Sequence, residues 1–297
     1  GAKLINDNSI NPSLLVGNID FQSIVLNKFS DSQMEYVSDK FSKRDVQKIL
    51  TIISALQPVN LYDSNLLNMI AKSVNTEYHE LNLIITELET AGIIVKKGQS
   101  SVRITPDVFS DYLLSEACVT QGRPTGYAEK VFDEFYEISP REIMSNLSEL
   151  DWRFQSNESK VDLMSQIWAR IFDGFKKGSN LKRYLLLLNI EKTAYFQPEK
   201  SLEIVQFALR NPSTENEQFL DFPEYTHENI KSIIPKILQK IAYNIEYLST
   251  CCDILWDLGK DKEGILTSDT THPLRILQDI AEYGLHKPLD YQCEILN

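Results

Sequence analysis

Three bases, Lys96, Lys97 and Arg103, flank the turn Gly98-Gln99-Ser100-Ser101 and are the side chains best suited to meet phosphate. A second set is acidic. Glu215, Glu217, Asp221, Glu224 and Glu228 lie between Asn211 and Asn229 with no Lys or Arg among them, beside Phe219, Phe222 and Tyr225. Acids mixed with aromatics could dock a basic partner surface. A solvated connector with its aromatics tucked onto the helices beneath accounts for the same residues and is the preferred reading. Groups able to do covalent or metal chemistry are scattered: His79, His227, His272 and His286, and Cys118, Cys251, Cys252 and Cys293. No H-E-x-x-H or C-x-x-C spacing holds them together, and free thiols in a reducing cytoplasm are expected. The phosphate cradle G-x-x-x-x-G-K-[ST], a G-x-G-x-x-G after a strand and the G-x-S-x-G elbow are all absent. No catalytic residue, metal or cofactor is expected, and the chain is not expected to be an enzyme.

The elements that position the three bases can be read from spacing. Val46, Ile49, Leu50 and Ile53 fall on one face of a helix that stops near Gln57-Pro58. Asp63 or Ser64 can cap a second helix with Leu66, Leu67, Ile70, Ala71 and Val74 inward. Asn75-Thr76 ends it and opens a third, whose apolar face is Leu81, Ile84, Ile85 and Leu88 and whose stop is Gly92. Ile93 to Lys97 and Val102 to Ile104 then read as a hairpin. Thr105-Pro106-Asp107 opens another helix with proline at its first position, lined by Phe109, Tyr112, Leu113 and Ala117. Three helices and a small β-hairpin make a winged helix-turn-helix, with the three bases on the wing.

Such a module commonly places its third helix in the DNA major groove. Here Thr76 to Gly92 carries Glu77, Glu80, Glu87 and Glu89 and no Lys or Arg. Carboxylates repel a polyanion, and no side chain on this helix can make a two-pronged contact to guanine. Lys43 to Thr120 holds seven Lys+Arg against nine Asp+Glu, a net of −2. The whole chain of 297 residues is at −12 with pI near 4.9. That balance argues against nucleic acid and against anionic membrane, and favours a protein partner.

Residues 1–42 read as a polar arm followed by lead-in helices, with Phe21, Ile24, Val25 and Phe29, then Met34, Val37 and Phe41, at helical spacing. The module occupies 43–120, and Gln121 to Gly126 is the expected domain break. Residues 121–297 are expected to be helical throughout, as an array resembling an α-solenoid. Its segments include Ser159 to Phe175, Asn180 to Ala194, Glu199 to Leu209, Asn229 to Tyr247, Thr250 to Leu258 and Pro273 to Tyr283. The Leu185–Leu188 run should be central, Pro235 should kink or split its helix, and Trp168 and Trp256 should be core. Asp151-Trp152-Arg153 reads as a tryptophan anchor beside a local ion pair. The longest apolar run, Tyr184 to Leu188, is too short to span a bilayer. The start at Gly1-Ala2 and the incomplete helix pattern from Leu289 to Leu296 suggest a piece of a longer cytoplasmic protein.

Several of these stretches resemble a known family. The runs Ile53-Ser54-Ala55-Leu56-Gln57-Pro58-Val59 and Leu88-Glu89-Thr90-Ala91-Gly92-Ile93-Ile94, with the stretch from Val102 to Leu114, resemble the winged-helix segment of large bacterial STAND-type signalling NTPases. Asn146-Leu147 with Leu150-Asp151-Trp152-Arg153 resembles the helical stretch after it. The resemblance covers about residues 44–155. It implies an upstream P-loop domain that binds nucleotide, a winged helix packed on it as part of a switch, and a helical array that senses a partner; some members act in antiviral defence. The nucleotide-binding motifs are absent from this chain, so neither ATPase activity nor any catalytic residue carries over. The expected function is a non-catalytic regulatory and protein-interaction region of a larger signalling NTPase, bound to its own upstream domain or another protein. The alternative is a winged-helix DNA-binding transcriptional regulator with a helical effector or dimerisation domain.

Overall fold

Val46, Ile49, Leu50 and Ile53 are buried along one side of α1 (Lys43–Leu56), the helix around which the first half of the chain packs. The computed structural model describes residues 37, 40–98, 100–156, 161–213, 224–261 and 270–282. Among them it is mainly helical, and the chain divides into two compact units, Gly1–Leu163 and Met164–Asn297.

In the first unit α1 is followed by β1 (Val59–Asn60), α2 (Ser64–Val74) and α3 (Tyr78–Thr90). Asp63 caps α2 by accepting from the Leu66 N–H at 3.0 Å. Both helices end by the same device, a left-handed residue whose flanking amides turn back onto the last carbonyls. At α2 it is Asn75 (φ 60°), with Thr76 N–H donating to Ala71 at 2.9 Å. At α3 it is Gly92 (φ 72°), with Ile93 N–H donating to Leu88 at 3.0 Å. The chain then forms β2 (Ile94–Lys97) and β3 (Ser101–Ile104), paired antiparallel with Ile94 opposite Ile104 and Lys97 opposite Ser101. β1 adds to the other side of β3, with Val59 opposite Val102, giving the sheet order β1-β3-β2. Pro106, expected as the first helical residue, is instead the N-cap of α4 (Asp107–Cys118), so the helix starts one position later.

Residues 119–126 are not a bare break. β4 (Val119–Thr120) and β5 (Arg123–Pro124) pair as a minimal hairpin, although the chain from residue 121 was expected to be helical throughout. Gln121 (φ 51°) and Gly122 (φ 71°) are both left-handed, the turn that suits the twist of a two-residue hairpin. The pairing is too short to leave an alternating pattern in the sequence. α5 (Tyr127–Phe135) and α6 (Pro140–Ser156) follow, and α6 packs on α1, α4 and α5. The division into units therefore falls between Leu163 and Met164, downstream of the boundary expected at 120/121. Buried Ile143, Met144, Leu147 and Leu150 on α6 carry the first unit's core past the glycine/proline stretch.

The second unit contains α7 (Ser165–Lys177), α8 (Asn180–Thr193), α9 (Pro198–Arg210), α10 (His227–Ile241), α11 (Ile245–Gly259) and α12 (Pro273–Ala281). α7 starts six residues later than expected, although Val161 and Met164 ahead of it are buried. α10 touches α8, α9, α11 and α12 and buries Ile230, Ile233, Ile234, Ile237, Leu238 and Ile241. Pro235 lies inside it, and the helix is continuous rather than split. Proline removes one helical donor and crowds the preceding turn; packing on four neighbours offsets that cost of about 3 kcal/mol. The leucine run of α8 is not central: Leu185 is 49% and Leu188 37% exposed. α8 instead buries Asn180, Arg183, Leu187, Ile190 and Thr193, a helical stripe on which polar groups find partners inside. Trp168 is buried as expected, whereas Trp256 is 56% exposed on the outer side of α11. No helix among the described residues is long and apolar enough to cross a membrane.

Candidate functional site

The outer side of α3 is open among the described residues. His79, Leu83, Thr86 and Thr90 recur at helical spacing along it and are exposed, with Asn82 at its edge. The polar side chains of this stripe turn back into their own helix. Asn82 Nδ2 donates to the Tyr78 carbonyl at 3.0 Å, Thr86 Oγ1 to Asn82 at 2.8 Å and Thr90 Oγ1 to Thr86 at 2.9 Å. What faces outward is methyl groups, the Leu83 side chain and an imidazole. Glu80 and Glu87 flank the stripe on one side and Glu89 on the other.

The same acids engage the nearby bases. Lys96 Nζ lies 2.9 Å from Glu89 Oε1, and Lys40 Nζ 2.7 Å from Glu87 Oε1. Arg103 Nη2 lies 2.6 Å from Asp107 Oδ1. Of the three hairpin bases Lys96, Lys97 and Arg103, only Lys97 lacks an acid partner among the described residues. Charges already paired with carboxylates release fewer counterions from a polyanion, so this face is poorly built for one.

The acidic stretch lies mostly outside the described residues: Glu215, Glu217 and Asp221, with Phe219 and Phe222, are not among them. Glu224 is exposed, and Glu228 pairs with Lys231 at 2.8 Å. The ring of Tyr225 lies 5.2 Å from that of Tyr184 on α8.

Asp151, Trp152 and Arg153 do not form one local ion pair. Asp151 is fully buried and accepts from Leu163 N–H at 2.8 Å and from Gln155 Nε2 at 2.7 Å. Arg153 instead reaches Asp111 on α4 and Glu149, the latter at 2.6 Å. A buried helix carboxylate prefers fixed amide donors, while the longer guanidinium can cross to a neighbouring helix. Burial pushes the Asp111 carboxyl up although Arg153 pulls it down, and the contact bridges α6 and α4.

The titratable groups offer little for covalent chemistry. Burial pushes the Cys118 and Cys251 thiols up to about 12, so both stay protonated near neutral pH. His272 is buried with Nδ1 accepting from Leu274 N–H at 3.2 Å, which caps α12. Burial, then Lys231, lowers the pKa of His227.

Sequence reasoning passed over one feature. α1, α2, α4 and α5 bound a cleft of about 690 Å³. Lys43, Arg44 and Lys48 on α1 and Lys130 on α5 line it, with Glu116 and Glu134 as its acids. The signal was present: Arg44 and Lys48 are one turn apart on the polar side of α1, and Lys130 follows Tyr127 by one turn. What the sequence did not reveal is that α5 folds back beside α1. Comparison of the chain with protein-family models, with curated proteins and with solved structures finds no match.

Proposed function

We propose that this chain is a non-catalytic regulatory and protein-interaction region of a larger, cytoplasmic signalling NTPase of the bacterial STAND type. In this reading residues 43–120 form a winged helix that serves as a packing module. The element order α1-β1-α2-α3-β2-β3 and the sheet order β1-β3-β2 support it, because they put a hairpin beside a third helix on a three-helix core. The helices from α7 to α12 act as a partner-sensing scaffold. Contacts of α8 with α10 and of α10 with α12, with α9 and α11 between them in the chain, support a stacked, solenoid-like array.

The observation that carries the protein-contact reading is the outward stripe of α3: Asn82, Thr86 and Thr90 spend their donors on carbonyls of their own helix, and the flanks of the stripe are acidic. A base-reading helix needs free, long donors there. A helix meeting protein needs an apolar residue and methyl groups, which Leu83, Thr86 and Thr90 supply. The DNA-binding alternative would have to rest on Lys97 and on bases already paired.

A photo-crosslinker in place of Leu83, in cells that make the protein, tests the reading. The expected adduct survives nuclease and is removed by protease. A nuclease-sensitive adduct overturns it.

A further inference from the structure

We propose that the cleft bounded by α1, α2, α4 and α5 binds a small anion that carries an apolar or aromatic body. Its volume of about 690 Å³ falls among ligand sites and is far too small for a duplex or a folded partner. The floor is apolar, closed by Ile52 and Phe135, and the half-buried rings of Tyr112 and Tyr127 stand at its sides. An apolar body is therefore desolvated on entry.

The polar groups at the mouth select a charge. Arg44 and Lys130 reach it from two different helices and have no acid partner among the described residues. In a chain at −12, Arg44 and Lys130 bring two cations without a carboxylate partner among the described residues to one cleft. Glu116 and Glu134 also line the cleft and limit its net charge, which favours one compact anionic group over a polyanion. The Tyr127 hydroxyl has no hydrogen-bond partner among the described residues. Burial raises the pKa of that phenol, so it stays protonated and available as a donor. Two cations and a phenol over an apolar floor match a phosphate, sulfonate or carboxylate on a hydrophobic body.

The test is calorimetric titration of the whole chain with 1-naphthyl phosphate, inorganic phosphate and 1-naphthol. The expected result is one site per chain for 1-naphthyl phosphate and weaker binding of both partial probes. Arg44 and Lys130 are exposed, so R44Q/K130Q should keep the wild-type thermal midpoint while weakening 1-naphthyl phosphate at least about tenfold. Tyr127→Phe should weaken it less, and Lys236→Gln on exposed α10 surface should leave it unchanged. No binding of 1-naphthyl phosphate, or equal binding by R44Q/K130Q, overturns the proposal. Equally tight binding of inorganic phosphate removes the role of the apolar floor, and equally tight binding of 1-naphthol removes that of the cations; either overturns it too.

Discussion

Asn146 Nδ2 donates to the main-chain carbonyl of Gln57 at 3.0 Å and to that of Ala55 at 2.9 Å, joining α6 to the end of α1 across about ninety residues of chain. Gln57 in turn uses its side chain on both sides. Its Nε2 donates to Ser110 Oγ at 2.8 Å on α4, and its Oε1 accepts from Ile104 N–H at 3.1 Å on β3. The stretches that carry the family resemblance meet here, at the centre of the first unit.

Asn146→Ala removes both donations and leaves two carbonyls at a helix end without partners. The first unit should lose about 1–3 kcal/mol, read from the urea midpoint. Asn146→Asp should be no better, because a carboxylate cannot donate. A midpoint unchanged in both variants would mean the joint is only spatial.

Arg183 is the corresponding knot in the second unit. Its guanidinium donates to the carbonyls of Phe175 at 2.9 Å, Lys176 at 2.8 Å and Asn211 at 2.6 Å. Lysine keeps the charge but cannot reach three acceptors in a plane. Arg183→Lys should therefore cost about 2–3 kcal/mol in chemical denaturation. A cost near zero would show that charge, rather than the fork of donors, is what matters.

Glu191 gives a pH dependence. Burial alone would raise its pKa, but the hydrogen bond and charge of Lys240, with Lys192, bring the net shift below the ordinary value of 4.5. Lys240 Nζ stands 3.0 Å from it, linking α10 to α8. A lowered carboxyl pKa contributes stability that is present above the unfolded value and lost as pH falls through the folded one. Glu191→Gln should be destabilised at pH 7 by up to about 1 kcal/mol, and the gap should close below about pH 4. Thermal midpoints across that range check it; a gap constant in pH would assign the effect to packing.

The first unit was legible because its signals are local. Caps and stops at Asp63, Asn75 and Gly92, and the apolar spacing of the helices between them, each act within one turn of chain. What escaped was set by partners distant in sequence. Nothing near Leu185 or Leu188 says that Arg183 would be buried on carbonyls and roll α8 so that the leucines face out. Nothing near Pro235 says that α10 would run on through it, packed on four helices. The cleft is the clearest case, because its bases sit on helices that read as belonging to different domains. The mainly helical class was thus readable, and the site's charges were visible as residues but not as a constellation.

Gly259 separates helix propensity from packing. A Cβ there would lie 2.8 Å from Leu274 Cγ and 3.1 Å from Pro273 Cβ on α12, and the proline ring cannot rotate away. Alanine favours the helix by about 1 kcal/mol, yet the clash at the α11–α12 contact should exceed it. Gly259→Ala should lower the thermal midpoint; a raised midpoint would show that α12 yields freely.

Binding of duplex DNA tests the central reading of α3 most directly. Fluorescence anisotropy of labelled random duplex, titrated with the whole chain at about 50 mM salt, should show no saturable binding, since the outward helix is flanked by acids and Lys96 and Arg103 are paired. Saturable binding that falls steeply with salt and is lost on Lys97→Glu would contradict the account.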